Sequence, residues 1–245
     1  MKICIAQTEP IKGNVSANIE AHKRFIEFAL TLNVEAIFFP ELSLTGYEPE
    51  LAKKLATNQN DNRLDIFQET SDKNKIIIGL GLPTATESKI QISMIIFEPN
   101  KPRQTYSKQQ LHSDEFPYFE NGIGQVIIKT NNKNIAPAIC YESLQQTHSE
   151  NAFKLGADVY LASVAKPANG VKKAFDHYPK IAKQYAMPVL MSNCVGFCDN
   201  FLSVGNSSVW TKEGELIGQL DDKSAGILIF DTETEGIIKR NLIND

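Results

Sequence analysis

The chain has 245 residues, of which 42% are hydrophobic and 22% are charged, and its formal net charge at pH 7 is −4. This composition excludes a disordered or fibrous chain, and the slightly acidic balance gives no electrostatic basis for binding nucleic acid or an anionic membrane. No apolar run approaches the roughly 20 residues that a membrane-spanning helix needs, and the N-terminus turns polar too early for a signal peptide. We therefore expect a cytoplasmic protein with one large α/β domain.

Apolar strands alternate with amphipathic helices through the first part of the chain. The first helix is predicted to begin at Asn14 or Ser16, where a side chain can cap it, because apolar residues then recur on one face. The short apolar run at 35–40 is typical of a strand inside a sheet that is covered on both faces. The predicted strands are 2–7, 35–40, 75–83, 89–99 and 103–108, and the predicted helices are 14–32 and 61–73.

A long segment without a clear period, 109–124, follows these elements. It contains prolines, glycines and aromatic residues, and we interpret it as an ordered loop of the kind that often carries function. A hairpin around Asn131 and Asn132 is then predicted to join two strands. The predicted strands of this second part are 125–130, 133–140, 157–164, 187–193, 206–210, 215–220 and 225–230, and the predicted helices are 143–155 and 171–186.

The domain organisation follows from the absence of a proline-rich or serine-rich linker in the sequence. We predict a single domain over 1–245, with a polar C-terminal tail from about 231 to 245. Strands that alternate with helices indicate a layered α/β architecture. Periodicity alone does not distinguish one open sheet from two packed sheets.

Cys140 lies in the stretch AICYES, at the end of an apolar strand and just before a predicted helix. A lone cysteine at a strand end is more often a buried structural residue than a nucleophile. However, the unpaired N–H groups at the start of a helix favour a thiolate and can receive an oxyanion. Cys140 is therefore a candidate nucleophile on a strand–turn–helix elbow.

Two charged residues lie at comparable strand ends. Glu41 directly follows the apolar run 35–40, where partial desolvation would raise the pKa of its carboxyl group and suit it to general acid–base catalysis. Lys108 ends the predicted strand 103–108 and could stabilise a tetrahedral intermediate beside a cysteine. Taken singly, each residue is more often a solvated loop or edge residue.

Four motifs in order resemble the carbon–nitrogen hydrolase family, the nitrilase superfamily. The resemblance covers essentially the whole chain and implies a single-domain, four-layer α-β-β-α sandwich, which commonly pairs into an eight-layer homodimer or a higher homo-oligomer. The motifs are FPELSLTGYEPEL (39–51), YSKQQLHSDEFPYFENG (106–122), AICYES (138–143), and NCVG (193–196) together with GNSSVWTKEGELIG (205–218).

The resemblance also implies a Glu-Lys-Cys catalytic set. Glu41 takes the position of the general base, Lys108 that of the lysine and Cys140 that of the nucleophile. A second glutamate follows the lysine in many members, and Glu115 matches it, with the adjacent Asp114 as the alternative. The implied reaction passes through a thioester and needs no metal and no organic cofactor.

The substrate implied by the resemblance is a small linear amide or a carbamoyl compound. Tyr141 follows the nucleophile where nitrile-hydrolysing members usually have tryptophan, which favours amide over nitrile hydrolysis. Leu144 replaces an arginine that is common in relatives, so specificity does not transfer from them. The residues expected to contact the substrate are Tyr47, Phe116, Tyr141, Glu142 (also a support for the elbow) and Lys166, which could meet a substrate carboxylate.

Several alternatives stay open at this point. Acyl transfer or nitrile hydrolysis could use the same site, and a non-catalytic descendant could bind a small amide. A fusion to an NAD synthetase and a membrane-bound lipoprotein acyltransferase are not expected. Neither is a Cys–His dyad, because His112, His148 and His177 follow no comparable strand end, nor a zinc site, because Cys194 and Cys198 have no companion ligands.

Overall fold

The computed structural model describes residues 1–87, 89–130 and 132–242. Its strands are β1 (Lys2–Gln7), β2 (Ala36–Phe38), β3 (Ile77–Ala85), β4 (Ile90–Phe97), β5 (Gln104–Ser107), β6 (Ile128–Lys129), β7 (Asn134–Ile139), β8 (Val159–Val164), β9 (Val189–Asn193), β10 (Val195–Cys198), β11 (Phe201–Val204), β12 (Ser208–Trp210), β13 (Leu216–Gln219), β14 (Gly226–Asp231) and β15 (Ile237–Asn241). Its α-helices are α1 (Val15–Leu30), α2 (Ala52–Leu55), α3 (Asp65–Asn74), α4 (Gln146–Lys154) and α5 (Ala168–Tyr185). Single-turn 3-10 helices lie at Pro49–Leu51, Asn62–Leu64 and Cys140–Leu144.

Two large mixed sheets pack face to face. The seven-stranded sheet has the order β15-β14-β1-β2-β3-β4-β5, and the six-stranded sheet has the order β13-β12-β9-β8-β7-β6. The central pairs β1–β2, β2–β3, β7–β8 and β8–β9 are parallel. These parallel strands are apolar runs, as expected because strands inside such sheets are covered on both faces.

The alternation of side chains along β1 shows how the layers are built. Ile3 and Ile5 pack into the core between the two sheets, whereas Cys4 and Ala6 pack beneath α1 and α3 on the outer face. The six-stranded sheet has the same alternation. Its inner face packs against the seven-stranded sheet, and Tyr160 on its outer face packs against α4 and α5. The order of layers is helix, sheet, sheet, helix, which is the α-β-β-α sandwich that was expected.

The polar C-terminal tail predicted from about 231 contains a further strand. Residues 237–241 form β15, which pairs with β14 at the edge of the seven-stranded sheet. Ile237 and Ile238 are half-buried there, while Lys239 and Arg240 give the strand the polar character of an exposed edge. The last predicted tail residues, 243–245, lie outside the described residues.

Two further differences concern short elements. The hairpin of β10 and β11 was not predicted, because Gly196 and Asp199, residue types that are common in turns, interrupt its strand pattern. In the structure these two residues have positive φ angles of 90° and 45°. The hairpin predicted around Asn131 is present as β6 and β7, although β6 covers only two residues and Asn131 itself lies outside the described residues.

Within the described part of the chain, no helix combines the length and the apolar character that crossing a membrane requires.

Candidate active site

Three strand ends place the candidate catalytic side chains in one region. Glu41 follows β2, Lys108 follows β5 directly, and Cys140 follows β7 directly. The first two strands belong to the seven-stranded sheet and the third to the six-stranded sheet. The face-to-face packing of the sheets therefore brings together residues that are up to 99 positions apart in the sequence.

Lys108 bridges two buried carboxylates. Its Nζ donates to Glu41 Oε1 at 2.8 Å and to Glu115 Oε1 at 2.7 Å, and all three side chains are almost completely buried. Burial alone lowers the pKa of Lys108, but the two carboxylates outweigh burial and bring the net pKa above its ordinary value. The lysine therefore remains an ammonium group.

The structure distinguishes the two acidic neighbours in the loop 109–124. Glu115 contacts Lys108 and also accepts hydrogen bonds from the Tyr47 hydroxyl at 2.8 Å and from the His112 backbone N–H at 2.7 Å. Asp114 instead pairs with the His112 ring at 2.6 Å, and both of these side chains are exposed. Glu115, not Asp114, is the residue placed to orient the lysine.

Glu41 has one carboxylate oxygen available for a proton. Its Oε1 is bound to Lys108, whereas its Oε2 is buried and has no hydrogen-bond partner among the described residues. Burial raises the pKa of Glu41, and the Lys108 charge opposes that rise. A carboxylate with a raised pKa and a free buried oxygen is suited to act as a general base.

Gly81 on β3 makes room for the backbone that carries Glu41. A Cβ atom at this position would come within 2.6 Å of the Pro40 carbonyl oxygen and would also meet the Leu42 amide. Leu42 itself has a positive φ of 52°, so the chain turns sharply just after the glutamate. The glycine thus fixes the position of Glu41 through close backbone packing.

Cys140 sits on a sharp turn with a φ of 48°, a conformation that L-residues rarely adopt. The segment that follows is the 3-10 helix Cys140–Leu144 before α4 begins, instead of the single helix predicted from 143. Burial raises the pKa of Cys140 to about 11, with Glu41 adding to the rise and the Lys166 and Lys108 charges opposing it. A strained turn that lines a cavity is a common place for a nucleophile.

Glu142 lies behind the turn and does not line the cavity, so the expectation that it contacts the substrate is not met. Its Oε1 accepts hydrogen bonds from the Ile139 backbone N–H at 2.7 Å and the Tyr106 hydroxyl at 2.6 Å, and its Oε2 accepts one from the Gln109 N–H at 2.6 Å. Burial raises the pKa of Glu142 to about 7. Its role in the structure is the other one expected of it, to hold the elbow.

A cavity of about 560 Å³ opens onto Cys140. Of the residues expected to contact the substrate, Tyr47, Tyr141 and Lys166 line this cavity. Phe116 does not, because its side chain is 60% exposed and lines a separate depression. The remaining lining residues are Lys108, His112, Asp114, Glu115, Leu144, Gln145, Ala165, Pro167, Asn169, Gly170, Lys173, His177 and Phe201.

Sequence reasoning missed the part of the wall formed by Lys173 and His177 on α5 and by Phe201 on β11. Asn169, Lys173 and His177 recur every four residues on α5, so they share the helix face that borders the cavity. That spacing was visible in the sequence, but nothing there indicated which face of α5 meets Cys140.

Cys194 and Cys198 lie with their sulfur atoms 3.6 Å apart, and the described residues contain no group of three side chains that could hold a metal ion.

Comparisons with known proteins identify the family of the chain. The profile of the family described as "Carbon-nitrogen hydrolase" matches residues 2–239. The chain therefore belongs to the carbon-nitrogen hydrolase family, as the four motifs indicated. The sequence resemblance to that family is confirmed.

Two relatives illustrate the range of this family. The chain is 26% identical over 231 residues to a glutamine-dependent NAD(+) synthetase of Acinetobacter baylyi, which covers 89% of this chain and 41% of that protein. It is 23% identical over 242 residues to a protein of Staphylococcus aureus named "Hydrolase in agr operon", covering 94% of this chain and 90% of that protein. The chain thus spans less than half the length of the NAD synthetases that it matches.

A solved structure confirms the fold. The NitN amidase of Nesterenkonia sp. AN1 superposes with a TM-score of 0.87 at 18% identity, covering 96% of this chain and 93% of that chain. Another structure of that amidase has acrylamide added at its active-site cysteine. At this level of identity the comparison establishes the sandwich architecture.

Proposed function

We propose that this protein is a thiol amidohydrolase that cleaves the C–N bond of a small linear amide or carbamoyl compound. The observation that carries the proposal is the Lys108 ammonium held between Glu41 and Glu115, with Lys108, Glu115 and Cys140 lining the same cavity. A nucleophile, a general base and a fixed positive charge are the parts that acyl transfer through a thioester needs.

The proposed reaction begins when Glu41 takes the thiol proton of Cys140 through its free Oε2. The thiolate attacks the amide carbonyl carbon, and the Lys108 ammonium and the Tyr141 backbone N–H stabilise the oxyanion. Glu41 returns the proton to the leaving nitrogen as the C–N bond breaks, which leaves a thioester on Cys140. Water, deprotonated by Glu41, then hydrolyses the thioester.

The relatives support an amide as the substrate class. The Nesterenkonia amidase has been solved with butyramide, and the synthetases of the family are glutamine-dependent. A cavity of about 560 Å³ is large enough for a small linear amide. Nitrile hydrolysis and transfer of the acyl group to an amine are the competing reactions, and a homodimer or higher homo-oligomer in the cytoplasm stays a prediction.

A panel of substrates tests this function. We expect ammonia release from at least one of acetamide, butyramide, glutamine, succinamate and N-carbamoyl-β-alanine, and none from butyronitrile, because Tyr141 replaces the tryptophan usual in nitrile-hydrolysing relatives. Ammonia would be measured with purified protein, and the acid product would be identified with and without hydroxylamine. Turnover of the nitrile alone, or of no compound at saturating concentrations, would contradict the proposal.

A further inference from the structure

A second lysine, Lys166, lies beside Cys140. It belongs to the loop between β8 and α5 and lines the cavity, although only 3% of the residue is exposed. Its Nζ lies 3.5 Å from the Cys140 carbonyl oxygen and 3.7 Å from the Cys140 sulfur. The reacting sulfur is therefore in direct contact with a buried amine.

The charge of Lys166 has no carboxylate counterion among the described residues. This distinguishes it from Lys108, which is bound to both Glu41 and Glu115. A buried cation without a counterion is costly, because burial removes its hydration and the neutral carbonyl and thiol of Cys140 carry no opposite charge. Such a group is expected where an anion forms or binds next to it.

The backbone of Lys166 is fixed independently of its side-chain charge. Its N–H donates to Asn193 Oδ1 at 2.9 Å, and its carbonyl oxygen accepts from Asn193 Nδ2, Ser203 Oγ and the Val204 N–H, each at 3.2 Å. Both Asn193 and Ser203 are buried. The ammonium is thus held near the sulfur before any substrate binds, which is the arrangement that electrostatic catalysis uses.

We propose that Lys166 is a further catalytic residue, whose ammonium pairs with the Cys140 thiolate each time that thiolate forms. This inference rests on the proposed function for its place in the reaction. The thiolate forms once when Glu41 takes the thiol proton, and again when water displaces the sulfur from the thioester. Lys166 takes no part in the proton transfers, in which the proton moves among the sulfur, Glu41, the leaving nitrogen and water.

The distance to the sulfur argues against the role first expected of Lys166. A group 3.7 Å from the nucleophile faces the atoms at the reacting carbon, whereas a carboxylate at the far end of a linear substrate would lie several bonds away. The contact with Cys140 therefore favours pairing with the thiolate over binding of a remote substrate carboxylate.

The other groups that face Cys140 make the effect of Lys166 measurable. They are the acidic Glu41 and Glu115, the ammonium of Lys108, and the phenols of Tyr47 and Tyr178. Lys108 is already paired with both carboxylates. Lys166 is therefore the one cation in direct contact with the sulfur whose charge no carboxylate of the described residues offsets, and neutralising Lys166 removes that charge. The pKa of the Cys140 thiol should then rise, because the thiolate loses a stabilising cation.

The test is the pH dependence of Cys140 alkylation by iodoacetamide, followed by mass analysis of its peptide. Because alkylation displaces iodide and requires no hydrolysis of an amide bond, its result does not depend on the proposed function. We expect Lys166→Met to shift the midpoint of the rate profile to higher pH by at least about one unit, which is about a tenfold lower rate at a pH below the midpoint. Lys166→Arg should shift it much less, and Lys172→Met, which changes an exposed lysine on α5 outside the cavity, should leave it unchanged.

Equal midpoints for the wild type and Lys166→Met would overturn the inference. Lys166→Gln provides a second neutral variant, and circular dichroism and thermal melting check that each variant is folded. With a turned-over amide, Lys166→Met should lower kcat at least tenfold with less than a threefold change in KM. A shifted alkylation profile in a protein that hydrolyses no amide would instead reject the proposed function and leave the pairing of Lys166 with Cys140 intact.

Discussion

Replacing Cys140 with alanine should abolish ammonia release from every amide that the wild-type protein hydrolyses. The variant lacks the atom that attacks the carbonyl carbon in the proposed reaction. Loss of a nucleophile that acts as a unit with its base typically lowers kcat by about 10⁴-fold or more. The measurement is steady-state ammonia release by matched preparations of the two proteins.

The control for this variant is Cys194→Ala. Cys194 is buried in the core between the sheets and does not line the cavity, so its loss should cost stability but leave kcat within a few-fold of the wild type. Calorimetric titration of Cys140→Ala with a slow substrate shows whether the cavity survives the substitution. Undiminished turnover by Cys140→Ala would reject the cysteine mechanism.

Lys108→Met should be the most destabilising single substitution in the site. It removes the cation between Glu41 and Glu115 and leaves two buried carboxylates without a counterion. Breaking a buried ion pair by removing one partner costs about 3–5 kcal/mol. We expect a loss of that size in the free energy of unfolding from urea titrations, together with loss of amide hydrolysis.

Two comparisons make the Lys108 result specific. Lys172→Met removes an exposed cation whose one ion-pair partner among the described residues is Asp176, and it should change the free energy of unfolding by less than about 0.5 kcal/mol. The double variant Lys108→Met, Glu41→Gln should recover part of the lost stability, because one of the two stranded charges is gone. A Lys108→Met protein as stable as the wild type would show that the network carries no such energy.

The regular part of the fold was predictable because its strands carry their own signal. Continuous apolar runs such as 35–40 and 157–164 appear as strands that are covered on both faces, and α1 and α5 show a clear apolar stripe. The pairing of the strands into two sheets was not predictable from periodicity, because register and order depend on contacts between distant residues. Short polar strands such as β15 gain their order from the neighbouring strand, so their own sequence gives little indication of it.

The site residues likewise divide into those that local sequence motifs predict and those that depend on the three-dimensional structure. Glu41, Lys108 and Cys140 follow strands in recognisable motifs, and the structure brings them together. The choice between Asp114 and Glu115 depended on the turn within the loop, which only the coordinates define. Phe116, expected on a pocket wall, follows Glu115 directly but points away from the cavity, because adjacent loop side chains need not face the same way.

In the proposed mechanism an acyl group passes through the sulfur of Cys140. Acid quenching during turnover of an active amide, followed by digestion and mass analysis of the peptides that contain cysteine, tests this step directly. We expect an acyl mass increment on the Cys140 peptide, which hydroxylamine removes, and none on the peptides of Cys4, Cys194 and Cys198. An increment on another residue, or undiminished turnover with Cys140 fully alkylated, would rule out the thioester on Cys140.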